Sequence, residues 1–328
     1  MTHRWSALAK ARANIALAKY WGKSDEALNL PAVPSVSVTL DPLVTTTRVS
    51  FDSNQSDDVI TLNGSCPSEG IQRRAFALID RVRAIAGTRV RARIQSDNSF
   101  PTASGLASSA SGFAALAAAA TAALDLPIDL AMLSALARRS SASAARSIYG
   151  GFVELPAGAP GDDDLCARPL AATSHWDLAV VIAVMTERPK AIGSTEAMAL
   201  TKQTSPYYRA WVDAAPRFAT RVREGVLRRD LEMLGAAMEE STACMHACAL
   251  AASPAVLYWE PATIAVLRRI IELRGRGLGV WATMDAGPHV KAVCLEREVT
   301  TVEAQLGSVP GVLRTVTARL GLGVEIAP

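Results

Sequence analysis

Four short segments of this chain carry residues able to hold phosphate and move a proton. The first is a small-residue loop, Thr102-Ala-Ser-Gly-Leu-Ala-Ser-Ser-Ala-Ser-Gly112, which runs into an alanine- and leucine-rich stretch closed by Asp125 and Pro127. A loop that opens a helix presents free backbone N–H groups at the positive end of the helix dipole, and that suits an anion. Gly105 and Gly112 let a phosphate approach the backbone, while Ser108, Ser109 and Ser111 add hydroxyl donors or a magnesium ligand. The loop lacks the Gly-Lys-Ser/Thr of a Walker loop and the G-x-G-x-x-G fingerprint. An ordinary loop before a buried alanine helix is the plainer alternative.

The second segment is Lys19-Tyr-Trp-Gly-Lys23, two lysines and two aromatics around one glycine. Lysines are rarely buried without a partner, so this turn is either a solvated loop or part of an anion pocket. The third is Arg139-Ser-Ser-Ala-Ser-Ala-Ala-Arg146-Ser, a second serine-rich stretch that carries an arginine. Together the three suggest walls of one phosphate-rich pocket. The fourth is Asp285-Ala-Gly-Pro, an acid delivered by an apolar strand into a rigid turn. Such an acid suits a catalytic carboxylate, and equally an Asx-type turn residue. Cys244, His246 and Cys248 share one predicted helix without a second Cys or His pair, so buried thiols explain them better than zinc.

Positioning these groups takes a sizeable core. The chain has 328 residues, half of them hydrophobic and a fifth charged, which is enough for two domains. A net charge of +3 argues against nucleic-acid or membrane-surface partners but allows a local basic pocket. The five scattered cysteines, with no apolar leader before them, read as reduced thiols of a cytoplasmic protein. The longest apolar run, Phe113 to Leu124, is too short to span a bilayer.

The pattern predicts a strand over 5–17, antiparallel strands over 34–39 and 44–51 joined at Asp41-Pro42, and a short strand over 59–62 ending in an Asn63-Gly64 hairpin. A helix over 71–86 carries four arginines, with a solvated face as the default reading. A strand over 89–95 delivers the chain to the small-residue loop. Further helices are predicted over 130–138, 189–204, 207–228, 231–250, 262–273 and 299–306. Strands are predicted over 152–155, 178–185, 290–295 and 312–320, with 178–185 central in a sheet because it is apolar throughout.

In combination these segments resemble the diphosphomevalonate decarboxylase family of the small-molecule (GHMP) kinase superfamily. The matching stretches run in order: Asn14-Ile-Ala with Lys19-Tyr-Trp-Gly-Lys23, Pro34-Ser-Val-Ser-Val-Thr-Leu, Asn98 to Ala110, Ser141 to Ser147 with Tyr149-Gly-Gly-Phe, Ser205-Pro-Tyr, Met245-His-Ala and Asp285-Ala-Gly-Pro. The Tyr-Trp-Gly-Lys and Asp-Ala-Gly-Pro pieces are the specific ones, since the phosphate loop is shared across the superfamily.

The resemblance implies a two-domain fold of mixed α/β and α+β character. A ribosomal-protein-S5-like domain would span 1–177, and a ferredoxin-like domain carrying the acid would span 178–328. It implies ATP-dependent decarboxylation of mevalonate diphosphate to isopentenyl diphosphate through phosphorylation of the tertiary hydroxyl. The nearest other readings are a related decarboxylase or a 3-kinase acting on mevalonate or its monophosphate, and a non-catalytic nucleotide-binding module. Asp285, Lys19, Arg146 and Asn14 would form the catalytic set. Tyr20, Lys23, Arg74, Ser141, Ser143 and Arg146 would bind substrate. Ser104, Gly105, Leu106, Ala107, Ser108 and Ser109 would bind ATP, with Ser108 as a magnesium ligand. The resemblance further implies a cytoplasmic homodimer with no nucleic-acid or membrane partner. Two features depart from the family pattern: Ser140-Ser-Ala142-Ser replaces Gly-Ser-Gly-Ser, and Met284 and His289 flank the acid turn in place of Phe and Asn. Both bear on the form of the substrate.

Overall fold

A computed structural model describes residues 4–100, 108–188 and 190–327. Its frame is a pair of long antiparallel strands, β1 (Arg4–Ala18) and β4 (Ser35–Asp52), in register from Arg4 opposite Asp52 to Ala18 opposite Val36. Between them lie the short β2 (Lys23–Asp25) and β3 (Leu30–Pro31), which pair only with each other. The two strands expected over 34–39 and 44–51 are therefore one. The chain does not reverse at Asp41-Pro42, because β1 is a single partner for both halves. Arg12 pairs with Val44 and Asn14 with Thr39, so β4 bulges where its proline falls. A bulge is where a missing N–H costs no ladder bond. Ser99 Oγ secures it, donating to the Pro42 carbonyl at 2.9 Å and accepting from the Val44 amide at 3.0 Å.

β5 (Val59–Leu62) runs parallel to β6 (Arg91–Asn98), which pairs with the second half of β4. Asn63 and Gly64 do form the expected tight turn, both at positive φ, but the returning chain pairs only once, at Ser65. It then leaves for α1 (Glu69–Ala86), whose apolar face packs on the sheet. α2 (Ser108–Ala123) is more than half alanine and nearly wholly buried against β1, β4 and α1. Small side chains let its axis approach the sheet closely, with Phe113 and Leu116 filling the remaining space. α3 (Leu130–Ser140) follows, capped by the Asp129 carboxylate on the Met132 amide. A 3₁₀ segment, Ala142–Ile148, leads into β7 (Phe152–Leu155) and β8 (Arg168–Ala171).

The second half is built on β9 (Leu178–Val184), every residue of which is buried, as its unbroken apolar run predicts. The helix expected from residue 189 begins later, as α4 (Ser194–Thr204). α5 (Tyr208–Arg228) and α6 (Leu231–Leu250) pack together on one side of the sheet. α7 (Pro261–Gly275) lies on the other side, followed by β10 (Trp281–Thr283) and β11 (Val290–Leu295). α8 (Val299–Gly307), β12 (Arg314–Leu320) and β13 (Glu325–Ala327) complete the chain.

One eleven-stranded sheet results, with the path β10-β11-β9-β12-β4-β1-β13 and β5, β6, β7 and β8 attached through β4. In the sheet the two halves join at β12 on β4, where Arg319 pairs with Asp41 and Leu320 with Leu40, and at β13 on β1, where Leu8, Ala9 and Lys10 pair with Ala327, Ile326 and Glu325. Among the described residues no helix is long and apolar enough to cross a membrane.

The turn after β1 shows why its glycine is there. Gly22 sits at φ +103°, and a Cβ at that position would lie 2.1 Å from the Tyr208 hydroxyl. Trp21, fully buried beside it, accepts through its carbonyl from Trp211 Nε1 at 2.8 Å. The Lys19–Lys23 turn is thus pressed onto α5. Gly22→Ala, which combines backbone strain with a clash, should cost about 2–4 kcal/mol in denaturant unfolding. An unchanged unfolding midpoint would show that the turn has slack.

Candidate active site

Asp285 follows β10 by two residues and carries the central charge. Its Oδ1 accepts from Lys19 Nζ at 2.8 Å, and its Oδ2 lies 3.3 Å from Lys291 Nζ. Both lysines are buried, whereas the Asp285 side chain keeps about a quarter of its surface, facing a cavity. Lys19 directly follows β1, its amide donating to Ser241 Oγ of α6 and its ammonium also donating to the Ala16 carbonyl at 2.8 Å. That carbonyl receives Thr283 Oγ1 of β10 at 3.2 Å. Thr283 stands directly opposite Lys291 in the β10–β11 ladder. Three strands therefore fix the carboxylate and both ammoniums.

The electrostatics follow from burial and contact. Burial alone would raise the Asp285 carboxyl, but the Lys19 and Lys291 ammoniums overcome it and hold the group well below the usual carboxylate range. Burial lowers Lys19 to about 8 even though Asp285 pulls it upward. Lys190 is likewise lowered to about 8 by burial, again against Asp285, and it donates to Ser194 Oγ and the Ala286 carbonyl. His246, buried in α6 near the rings of Tyr258 and Trp259, is pushed down to about 3 by burial and then by Lys19, so it is neutral.

Arg146 forms the second centre. Its Nε donates to Ser37 Oγ at 3.0 Å and Asn14 Oδ1 at 3.3 Å, and its Nη1 donates to Ser35 Oγ at 2.6 Å. Asn14 is held in turn by donating to the Ser143 carbonyl and to Ser147 Oγ. These neutral partners orient the fork without neutralising it. Burial lowers the guanidinium to about 10, and Asp285 opposes that shift.

A cavity of about 690 Å³ joins the two centres to the start of α2. Of the residues singled out in the sequence, Asn14, Lys19, Tyr20, Lys23, Arg74, Ser108, Ser109, Ser141, Ser143, Arg146 and Asp285 all line it. Ser104, Gly105, Leu106 and Ala107 lie outside the described residues. Tyr20 brings a hydroxyl without a hydrogen-bond partner among the described residues, and Lys23 pairs with Glu26 at 3.3 Å. The arginines of α1 divide. Arg73 and Arg74 face the cavity, with Arg74 stacked on Phe113, whereas Arg83 is tied to Asp58 by two hydrogen bonds of 2.8 Å.

Sequence reasoning missed Lys291, Lys190, Ser35, Ser37 and the cavity-lining Arg73 and Arg139. Lys291 left a signal: it is the one charged residue of the apolar strand Val-Lys-Ala-Val-Cys-Leu.

The departures also find places. Met284 is buried in the core under α7, and the His289 ring accepts from the Met185 amide at 3.3 Å, fixing the turn to the end of β9. Ala142 packs with Ala145, Val153, Leu155 and Ala167 while bordering the cavity.

Comparison with known proteins agrees with this geometry. Residues 11–167 match the diphosphomevalonate decarboxylase-like N-terminal domain, and residues 180–316 match the mevalonate 5-diphosphate decarboxylase C-terminal domain. The chain is 34% identical to diphosphomevalonate decarboxylase of Candida albicans over 87% of its own length and 83% of the relative's. It is 36% identical to that of Homo sapiens over 97% and 84%. Among solved structures, mevalonate diphosphate decarboxylase of Staphylococcus aureus superposes with a TM-score of 0.93 at 37% identity, covering 99% of both chains. A structure of MDDEF in complex with MVAPP, AMPPCP and magnesium superposes with a TM-score of 0.92 at 36% identity, also over 99% of both. The chain belongs to the diphosphomevalonate decarboxylase family.

Proposed function

We propose that this chain uses ATP to phosphorylate the tertiary hydroxyl of mevalonate diphosphate, then expels phosphate and carbon dioxide to give isopentenyl diphosphate. The observation that carries the reading is Asp285, clamped by Lys19 and Lys291 and open to the cavity that also holds Arg146 and the start of α2. The family membership and the related structure with MVAPP, AMPPCP and magnesium support the same substrates here.

A tertiary hydroxyl is a poor leaving group, and phosphorylation makes it a good one. Asp285 orients the hydroxyl and takes its proton as the new O–P bond forms, a late transfer suited to a loose phosphoryl transition state. Lys19 keeps the carboxylate ionised and offsets phosphate charge. Arg146 holds the substrate carboxylate, with its planar fork preset by Ser35, Ser37 and Asn14. The C–O bond then breaks, and the departing phosphate takes back the proton from Asp285. The electron pair of the carboxylate's C–C bond becomes the alkene as carbon dioxide leaves. The two steps together consume no proton.

Tyr20, Lys23, Ser141 and Ser143 face the diphosphate in this reading, with Arg74 beside them. The start of α2 with Ser108 and Ser109, preceded in sequence by Ser104-Gly105-Leu106-Ala107, receives the nucleotide phosphates. Among the described residues no cluster of three His, Cys, Asp or Glu could hold a metal. In this reading Ser108 would offer one hydroxyl to a magnesium ion bound with the nucleotide. Such an ion offsets phosphate charge when bound. A division into domains at 177/178, a cytoplasmic location and a homodimer belong to this proposal.

Three outcomes test it. Asp285→Asn keeps the shape but cannot accept a proton, so kcat should fall by roughly a hundredfold or more while substrate and ATP affinities hold. A folded variant with near-native kcat would end the acid–base assignment. Arg146→Lys offers one point charge for a fork, and carbon dioxide release should fall by roughly tenfold or more with ATP binding intact. Native release rates would take the carboxylate away from Arg146. Finally, Lys19 is an ammonium below about 8 and a neutral amine above it, so kcat/KM should decline as pH rises through that value. Lys190 titrates in the same range, and Lys190→Arg keeps its charge, so a limb that survives in Lys190→Arg belongs to Lys19. A profile flat to about pH 9.5 in that variant would show that activity does not need the Lys19 charge.

A further inference from the structure

Lys291 is fully buried in the middle of β11, and nothing in the reaction as derived requires it. Its neighbours Val290, Ala292 and Cys294 point into the core beneath α7 and α8, while Lys291 and Val293 point to the opposite face. Ile182 and Thr283 flank Lys291 in the adjoining strands. Sequestering an ammonium there costs several kcal/mol unless an anion and hydrogen bonds compensate it. The anion present is Asp285, at 3.3 Å.

The two oxygens of Asp285 differ. Oδ1 is occupied by the Lys19 hydrogen bond at 2.8 Å. Oδ2 is buried, with the Lys291 ammonium 3.3 Å away. Each oxygen of the carboxylate thus has its own ammonium, and Lys291 adds to Lys19 in favouring the ionised form.

We infer that Lys291 is a positioning residue that acts through Asp285, holding its carboxylate ionised and fixed at the edge of the cavity. The inference rests on the proposed role of Asp285. In the first step the proton passes from the hydroxyl to the Asp285 carboxylate as the O–P bond forms. In the second it passes from that carboxyl to the departing phosphate as the C–O bond breaks. By opposing protonation of the carboxylate, Lys291 makes the protonated acid short-lived and a strong donor for the second step. Lys19, Lys190, Arg146 and His246 face the same carboxylate from the turn after β1, the loop before α4, the 3₁₀ segment and α6. The Lys291 charge also lowers Lys19, Lys190 and His246, so Lys291→Met lifts those three as well and the Asp285 carboxyl itself must be followed.

The test compares pH profiles of kcat/KM for the native enzyme, Lys291→Met and Lys291→Arg. Titrations of substrate and nucleotide are common to all three and cancel. Without the Lys291 charge the Asp285 carboxyl rises toward its usual range, so Lys291→Met should lose about twofold at about pH 4 relative to about pH 7.5, beyond any native loss. Lys291→Arg should keep the native profile. Parallel profiles for Lys291→Met and the native enzyme, or the same acid-side loss in Lys291→Arg, would overturn the proposal. If Lys291→Met is too unstable to assay, Lys291→Gln takes its place. A carboxyl ¹³C titration of Asp285 then reads ionisation without turnover, and a carboxyl that titrates as in the native protein counts against the inference. Asp285→Asn separates the two layers. Near-native turnover in it removes the acid–base reading itself, whereas an inactive Asp285→Asn with parallel Lys291 profiles removes only the part given to Lys291.

Discussion

The site depends on a charge pair that water does not share. Lys19 and Asp285 come from opposite ends of the chain, 266 residues apart, and meet at 2.8 Å where little solvent reaches. Desolvating both groups is expensive, and removing Asp285 leaves the buried Lys19 ammonium without its carboxylate, at a cost of about 3–5 kcal/mol in comparable buried pairs. The pair is therefore weak evidence for stability and strong evidence for use. It also dictates the scaffold: the ends of β1 and β10 must converge on it, and the Ala16 carbonyl ties them together by accepting from Lys19 and from Thr283.

Residues that break a local pattern were legible in the sequence. Asp285 stands out at the end of an apolar strand, Lys19 and Lys23 around a glycine, and Arg146 among serines. Partners that only a fold can bring together were not. Ser35 and Ser37 alternate with valines and read as the solvent face of a strand, yet both are buried because that face meets Arg146. Their polarity reports a buried cation rather than water. Lys291 hid for the opposite reason: its strand is so apolar that one charge did not change the reading, and only register sets it beside Asp285. The break at Asp41-Pro42 misled because proline usually interrupts a ladder, whereas here a bulge against β1 absorbs it.

The anion end of the cavity rests on a different economy of size. α2 is built from alanine, so its axis can lie close to β1 and β4 and its first turn can open beside Arg74 and Ser140. Larger residues along its buried face would lift the helix off the sheet and move that first turn with it. The small residues that look featureless in sequence thus set the depth of the pocket.

The joining of the halves, through β12 on β4 and β13 on β1, has a meaning for the chain as it is made. Synthesis runs from the N-terminus, so the segments bearing Arg146 and the start of α2 emerge from the ribosome long before Asp285. A nascent chain can hold the Arg146 side of the cavity while Asp285 is still unmade. The cavity is complete only when the late strands β10, β11 and β12 have joined the early ones.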